Sequence, residues 1–244
     1  MHKEYKRIAE GANKAVLFVH GIVGTPNHFK AFVPLVPENI SVYNILLDGH
    51  GKGVKDFSKT SMEKWKKQVS LAVEELAQEH DSIYVVGHSL GSLLAIEQAV
   101  MCSKINKLFL LAVPLKVSLK PKLFANLLKV YLGKMDPQNE ELMAAMECYG
   151  IANEKNPVRY IPWIPRYLEL FSQIRYIRGV INTLDTPTVA YQSCRDEMVS
   201  RKSKMMLEKN PKICVIELKN SGHYYYEKSD YAFLKNEFVK FINA

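Results

Sequence analysis

Short runs of apolar and β-branched residues alternate along this chain of 244 residues with longer segments of helical periodicity. In the segment 61–80, for example, Met62, Trp65 and Val69 fall on one face of a helix. Such alternation predicts an α/β fold, with a mainly parallel sheet flanked by helices. The predicted strands are 15–19, 41–47, 82–86, 107–113, 188–191 and 213–218, and the predicted helices are 61–80, 90–101 and about 228–242.

The start of the helix over 61–80 has two candidate N-cap residues. Ser61 is followed three positions later by Lys64, which is not a capping box. Thr60 is followed by Glu63, which matches the capping-box pattern. The pattern therefore predicts Thr60 as the N-cap.

One strand-to-helix connection carries a pattern with a chemical use. Ser89 lies between Gly87 and Gly91 in the order Gly-His-Ser-Leu-Gly. A predicted strand leads into this run and a predicted helix leads out of it. A sharp turn of this kind exposes a serine hydroxyl at a helix N-terminus, where free N–H groups favour negative charge. A glycine-rich turn without chemistry is the alternative, but the placement favours Ser89 as a nucleophile.

This run and several others resemble the α/β-hydrolase family, most closely its small carboxylesterase and monoacylglycerol-lipase branch. The resemblance extends in order over nearly the whole chain and implies the α/β-hydrolase fold. The residues that carry it are His20-Gly21-Ile22-Val23-Gly24-Thr25-Pro26, Asp48-Gly49-His50-Gly51, Gly87-His88-Ser89-Leu90-Gly91, Asp196 and Ser221-Gly222-His223.

A serine nucleophile needs a general base, usually histidine, within hydrogen-bond reach. Of the seven histidines only His223 follows Ser89, just after the last predicted strand. The family order of serine, acid and histidine therefore implies His223 as the base. The adjacent His88 is expected to support the turn, because it points elsewhere. A histidine in a surface loop is the alternative for His223.

The acid that orients the histidine should follow the strand predicted at 188–191. Asp196 lies there, whereas Asp185 precedes that strand and falls at the wrong end of the sheet. The resemblance therefore implies Asp196 as the acid. Glu197 is the second candidate, and a role for Asp196 as a helix N-cap is the non-catalytic alternative.

Acyl transfer builds negative charge on a carbonyl oxygen, which two backbone N–H groups can stabilise. The resemblance implies Leu90, the residue after the nucleophile, as one donor and Ile22, in the His-Gly loop, as the other. His20 is expected to brace that loop rather than to take part in the chemistry.

The regular alternation breaks between residues 116 and 180. This stretch holds eight aromatic residues and prolines at 157, 162 and 165. It predicts a helical cap insertion at 116–180 over a hydrolase core formed by 1–115 and 181–244. The aromatic residues either bind an acyl chain or aryl group or pack the cap's own small core, and no substrate-binding residue is assigned.

The beginning of this predicted cap is basic and amphipathic. Its lysines alternate with leucines and no acidic residue intervenes, so transient contact with an anionic membrane surface is one hypothesis. A solvated basic surface is the alternative, consistent with a formal net charge of +8. The residues concerned are Lys116, Lys120, Lys122, Lys129, Lys134, Leu119, Leu123, Leu127, Leu128 and Leu132.

Several classes of function lack support in the sequence. No nucleic-acid fold signature accompanies the positive charge, and there is no HExxH or P-loop motif, so no metal or nucleotide cofactor is expected. The four cysteines form no CxxC pair. No signal-like segment follows the N-terminus, and no apolar run approaches the roughly 20 residues that span a bilayer. A cytoplasmic, soluble protein is therefore expected.

Together these residues predict a carboxylesterase or lipase-like enzyme. It would hydrolyse short or medium acyl esters, including monoacylglycerols, through an acyl-enzyme. Thioester, lactone, amide and aryl (feruloyl-type) ester hydrolysis use the same machinery, as do halogenation and perhydrolysis, whereas a dehalogenase would carry Asp at position 89. A non-catalytic binding protein on this fold is the alternative from another class.

Overall fold

A computed structural model describes residues 3–132, 134 and 136–244 of the chain. Its secondary structure alternates as predicted, with strands and helices in turn along most of the chain. The strands are β1 (Tyr5–Arg7), β2 (Lys14–Val19), β3 (Ser41–Ile45), β4 (Lys52–Gly53), β5 (Ser82–His88), β6 (Ile105–Leu111), β7 (Ile151–Ala152), β8 (Thr188–Ser193) and β9 (Ile213–Leu218). The helices are α1 (Val54–Ser58), α2 (Met62–Glu79), α3 (Leu90–Met101), α4 (Pro121–Tyr131), α5 (Glu140–Cys148), α6 (Ile164–Val180), α7 (Lys202–Leu207) and α8 (Lys228–Asn243). Short 3-10 helices are formed by Pro26–Phe29, Val33–Leu35, Pro157–Trp163 and Ile181–Thr183.

The main sheet confirms the predicted α/β-hydrolase fold. Its strand order is β1-β3-β2-β5-β6-β8-β9. The edge strand β1 runs antiparallel to β3, and the remaining neighbours pair in parallel. From β2 the chain passes to β3 on one side and then returns to β5 on the other. The carboxyl ends of β2 and β5 therefore form a topological switch point, where open α/β sheets place their ligands.

Helices cover both faces of the sheet, which is why its central strands are almost continuously apolar. On one face, α2 contributes Trp65 and Val69, and α3 is buried along most of its length. On the other face, α8 contributes Phe238 and Phe241 to a separate apolar cluster. A helix that is apolar on all sides, as α3 is, belongs in the centre of a domain, and it fixes the turn before it.

The predicted N-cap of α2 is wrong by one residue. The N-cap is Ser61 rather than Thr60: Ser61 has the extended backbone of an N-cap, and its hydroxyl accepts the Lys64 N–H at 3.2 Å. The Met62 N–H at the same helix end donates to the carboxylate of Glu169 in α6, at 2.9 Å. Thr60 does not cap the helix although it matches the capping-box pattern, because a residue distant in sequence satisfies a donor at this helix end.

The predicted insertion at 116–180 contains α4, α5, β7, the 3-10 helix Pro157–Trp163 and α6. Its division from the core stays a prediction. Within it Gly133, Met135 and the side chains of Leu127 and Tyr131 lie outside the described residues, as do Met1 and His2 of the predicted core. No helix in the described part of the chain is both long enough and apolar enough to cross a membrane.

Candidate active site

Ser89 occupies a strained turn between β5 and α3. Its φ of +52° lies in the left-handed region, which residues other than glycine rarely adopt. Its N–H donates to the Leu111 carbonyl oxygen at the end of β6, at 2.9 Å. Only 6% of the residue is exposed to solvent. Non-glycine strain of this kind persists where the surrounding structure enforces it, and it concentrates at functional sites.

The glycines beside Ser89 allow α3 to start directly against the sheet. A Cβ atom on Gly91 would lie 1.9 Å from the Val19 carbonyl oxygen of β2. A Cβ atom on Gly87 would lie 2.7 Å from the Gly91 carbonyl oxygen. Both clashes are with backbone, which cannot rotate away. The motif is therefore a packing requirement as well as a turn signal.

His223 and Asp196 meet although 27 residues separate them. Asp196 follows β8 and His223 follows β9, so both lie at the carboxyl edge of the sheet. His223 Nδ1 lies 2.8 Å from Asp196 Oδ2, and both residues are almost completely buried. The other carboxylate oxygen accepts the N–H groups of Met198 and Val199, each at 2.7 Å. Asp196 is not the N-cap of α7, which begins at Lys202.

The second ring nitrogen of His223 is free. Nε2 is buried and has no hydrogen-bond partner among the described residues, so it forms no hydrogen bond with Ser89 Oγ. The His223 ring nevertheless lies beside the Ser89 turn, because its centroid is 4.8 Å from that of His88. A buried imidazole that is held on one nitrogen and free on the other is suited to accept a proton at Nε2.

His88 anchors the loop that carries His223. Its Nε2–H donates to the His223 carbonyl oxygen at 3.0 Å, because a carbonyl oxygen can only accept. Its ring stacks on that of His28, with centroids 3.8 Å apart. Burial and the neighbouring histidines hold the pKa of His88 well below its usual value, so the ring is neutral.

Glu197 contacts the candidate base, whereas the sequence analysis treated it only as a substitute for Asp196. Its carboxylate accepts the backbone N–H of His223 at 3.1 Å. Burial lowers the pKa of His223, but the Asp196 and Glu197 carboxylates outweigh it, and the pKa lies above the ordinary 6.5. The sequence signal for this contact was the pair of consecutive acidic residues after β8. Asp196 contacts the His223 ring and Glu197 contacts the His223 backbone.

The predicted oxyanion donors occupy suitable backbone positions. Leu90 is the first residue of α3, so its N–H has no acceptor within the helix. Ile22 lies in the turn that Gly24 closes by donating to the Gly21 carbonyl oxygen at 3.0 Å. In that turn Val23 has a φ of +52°, rare for a β-branched residue, and its N–H donates to His50 Nε2 at 3.1 Å.

Two histidines hold this loop in place. His20 Nε2 accepts the Leu47 N–H at 3.1 Å, and its Nδ1 lies 2.9 Å from the Gly21 carbonyl oxygen. His50 Nδ1 lies 3.1 Å from the Asp48 carbonyl oxygen. Burial lowers the pKa of His50 to about 4, which keeps Nε2 free to accept from the loop. His20 contacts the loop as expected, whereas the bracing contact of His50 was not predicted.

Two loops of this region are hydrogen-bonded to segments of the predicted insertion. The Ser118 N–H donates to the Met198 carbonyl oxygen and the Lys120 N–H to that of Glu197, both at 2.9 Å. The Gly150 N–H donates to the Val23 carbonyl oxygen, also at 2.9 Å. The insertion therefore contacts both the loop of the acid and the loop of Ile22.

Comparison with known proteins agrees with the family resemblance and with the fold. A family described as the alpha/beta hydrolase family has a sequence model that matches residues 16–234. No curated protein matches the chain. A structure reported with the metagenome-derived lipolytic enzymes LipS and LipT is similar, with a TM-score of 0.73 at 17% identity, covering 99% of this chain and 97% of the other. The monoacylglycerol lipase of Paleococcus ferrophilus has a TM-score of 0.70 at 18% identity, covering 98% of each chain. A structure from a study of carboxylesterases of the thaumarchaeon Nitrososphaera gargenis has a TM-score of 0.67 at 14% identity, covering 98% of this chain and 95% of the other. At these identities the likeness is one of fold.

Proposed function

Since this chain belongs to the alpha/beta hydrolase family, we propose that it is a serine hydrolase that cleaves carboxylic esters through an acyl-enzyme intermediate. The observation that carries this proposal is the buried pair of His223 and Asp196, joined at 2.8 Å beside the strained turn of Ser89. Structural similarity to a monoacylglycerol lipase and to a structure from a study of carboxylesterases supports an ester substrate. Among esters, we propose those with short or medium acyl groups, including monoacylglycerols. We further propose that 116–180 acts as a cap supplying contacts to the substrate.

In the proposed first step Ser89 Oγ attacks the carbonyl carbon of the ester while its proton passes to His223 Nε2. Asp196 holds the ring by its Nδ1–H and stabilises the imidazolium that forms. The carbonyl oxygen becomes an oxyanion that accepts hydrogen bonds from the N–H groups of Ile22 and Leu90. Each such donor contributes roughly 2.7–4 kcal/mol to stabilising the transition state.

The tetrahedral intermediate then collapses and the bond to the alcohol breaks. His223 returns its proton to the leaving alkoxide, which departs as the alcohol and leaves an acyl group on Ser89. A water molecule, deprotonated by His223, attacks the acyl-enzyme in the same way. This second cycle releases the carboxylic acid and restores the serine hydroxyl.

A panel of substrates tests the reaction type. We expect turnover of p-nitrophenyl esters, and we expect a fluorophosphonate probe to label Ser89, identified by mass spectrometry of the labelled peptide. The same panel includes monoacylglycerol, feruloyl ester, thioester and lactone substrates. The kcat/KM of each then shows which of these substrate classes the enzyme prefers. Failure of both turnover and labelling would instead support a non-catalytic binding protein.

We expect kcat/KM to rise with pH through the titration of His223, because the base must be neutral to accept the serine proton. Replacing Glu197 with glutamine removes a negative charge that raises the pKa of His223, while the amide oxygen can still accept the His223 N–H. The pKa of His223 should therefore fall, and the rising limb of the profile should move to lower pH.

The measurement is kcat/KM of a p-nitrophenyl ester between about pH 5 and 9, a range that brackets an ordinary histidine. Glu79→Gln is the control. Glu79 is exposed at the end of α2, just before β5 begins, whereas Ser89 follows the carboxyl end of β5. The control substitution should leave the profile in place. A Glu197→Gln profile that coincides with that of the wild type would contradict the electrostatic role of Glu197.

A further inference from the structure

Helix α4 turns an apolar stripe towards solvent. Its members recur every four residues within the helix and at its C-cap, so they share one side. The α4 stripe consists of Phe124, Leu128 and Leu132, exposed by 55%, 57% and 53%, and is extended by Leu119, exposed by 48%. The positions on the opposite side of the helix are half-buried instead: Leu123, Asn126 and Val130. The stripe thus faces away from the protein, where large exposed apolar groups mark an interaction surface.

Positive charge flanks the α4 stripe. Five exposed lysines lie between residues 116 and 134, and no acidic residue lies among them: Lys116, Lys120, Lys122, Lys129 and Lys134. Lys122 forms an ion pair with Glu141. For the other four, no carboxylate of the described residues lies within ion-pair distance. The charge around the stripe is therefore largely uncompensated.

A second exposed apolar stripe has less unpaired positive charge around it. This α6 stripe follows the start of α6 and consists of Ile161, Ile164, Leu168 and Phe171. Arg166 is engaged within the protein, because it donates to the carbonyl oxygens of Ser58 and Thr60 and pairs with Glu169. Arg175, one turn after Phe171, is exposed and forms no ion pair with the described residues. Four unpaired lysines accompany the α4 stripe and one unpaired arginine accompanies the α6 stripe, so the density of unpaired positive charge distinguishes the two.

This combination points to the chemistry of the partner. A second copy of the chain would bring an equally basic stretch against the first, and like charges would repel across the interface. A lipid surface with anionic headgroups offers phosphates to the lysines and an acyl boundary to Phe124, Leu128 and Leu132. Amphipathic helices with this pattern lie in the membrane interface, with the apolar side buried by roughly 5–10 Å.

We propose that the α4 stripe and its flanking lysines bind the surface of an anionic membrane. The binding does not depend on the proposed serine chemistry, and it is measured without turnover. Each lysine near an anionic surface strengthens binding by about fivefold, so reversing two of them should weaken it by well over tenfold. High salt should weaken it too, because exposed charges are screened.

The test is co-sedimentation of the full chain with vesicles of phosphatidylcholine, with and without phosphatidylglycerol. We expect binding only where phosphatidylglycerol is present. A double substitution of the stripe, Phe124→Ser with Leu128→Ser, should abolish it, and Lys120→Glu with Lys129→Glu should weaken it by about 25-fold or more. These side chains are exposed, so unchanged thermal melting verifies that each variant is folded.

The α6 stripe supplies the matched control. Leu168→Ser with Phe171→Ser removes two comparably exposed apolar residues and should leave binding to the vesicles intact. Equal binding to neutral vesicles, or loss of binding only in the α6 variant, would overturn the proposal. So would a dimer in analytical ultracentrifugation that the α4 substitutions dissociate, because a second copy would then occupy the stripe.

Discussion

Replacing Ser89 with alanine is expected to lower kcat on p-nitrophenyl esters by roughly a millionfold, the scale on which loss of a triad serine acts. In the proposed mechanism the Ser89 hydroxyl is the group that forms the acyl-enzyme, and neither His223 nor Asp196 could replace it. The residual rate should come from stabilisation of the oxyanion by the N–H groups of Ile22 and Leu90, which the substitution leaves in place. Labelling by a fluorophosphonate probe should disappear together with the activity.

The same substitution should leave folding intact. Ser89 already adopts a φ of +52° with a Cβ atom present, so alanine introduces no new backbone strain. The turn is held by the Ser89 N–H and by its carbonyl oxygen, which accepts the Ser92 hydroxyl. Ser70→Ala is the control, because that hydroxyl donates to Glu74 within α2. Near-wild-type turnover in Ser89→Ala would overturn the proposed mechanism.

The position of Ser89 was predictable because it depends on local physics. A strand, a tight turn and a helix are adjacent in sequence, and only glycine fits beside the backbone at positions 87 and 91. Asp196 and His223 were implied by the family resemblance, and the topology of the sheet explains why they meet. The carboxyl ends of parallel strands share one edge of the sheet, so residues that follow β8 and β9 arrive near the end of β5.

Contacts between distant segments were not predictable. The Met62 N–H at the start of α2 donates to the carboxylate of Glu169, and the ring of His28 stacks on that of His88. Both contacts join residues 60 or more positions apart in the sequence. Gly150 packs so closely on the loop of Ile22 that a Cβ atom would lie 1.9 Å from a Thr25 methyl group. No periodicity or spacing rule encodes such pairs. For the same reason the arrangement of 116–180 could be predicted only as helical.

The pKa of His223 is shifted in the opposite direction from that of three of the five other buried histidines. Burial lowers the pKa of His28 to about 3 and that of His50 to about 4, and it holds the pKa of His88 well below its usual value. These three rings stay neutral and serve as hydrogen-bonding groups. His223 is equally buried, but two carboxylates raise its pKa. This difference in pKa supports His223 as the base in the proposed mechanism.

Gly91→Ala is expected to have the largest effect on folding, because α3 packs closely against β2 at Gly91. The new methyl group would lie 1.9 Å from the carbonyl oxygen of Val19, 2.6 Å from its carbonyl carbon and 2.8 Å from the His20 carbonyl oxygen. All three atoms are backbone, and β2 is fixed between β3 and β5. Relief therefore requires α3 to move away from the sheet, which opens the core around Leu93 and Leu94.

We expect Gly91→Ala to destabilise the fold by about 4 kcal/mol or more, lowering Tm by about 10 °C or preventing folding altogether. Gly179→Ala is the matched control, because Gly179 lies in α6 and a Cβ atom there would meet nothing within 4 Å. Alanine in a helix should stabilise the protein by roughly 0.5–1 kcal/mol. Thermal melts followed by circular dichroism compare the two. A Gly91→Ala protein that melts with the wild type would show that α3 can move off β2 at little cost, and the packing requirement at this turn would then be wrong.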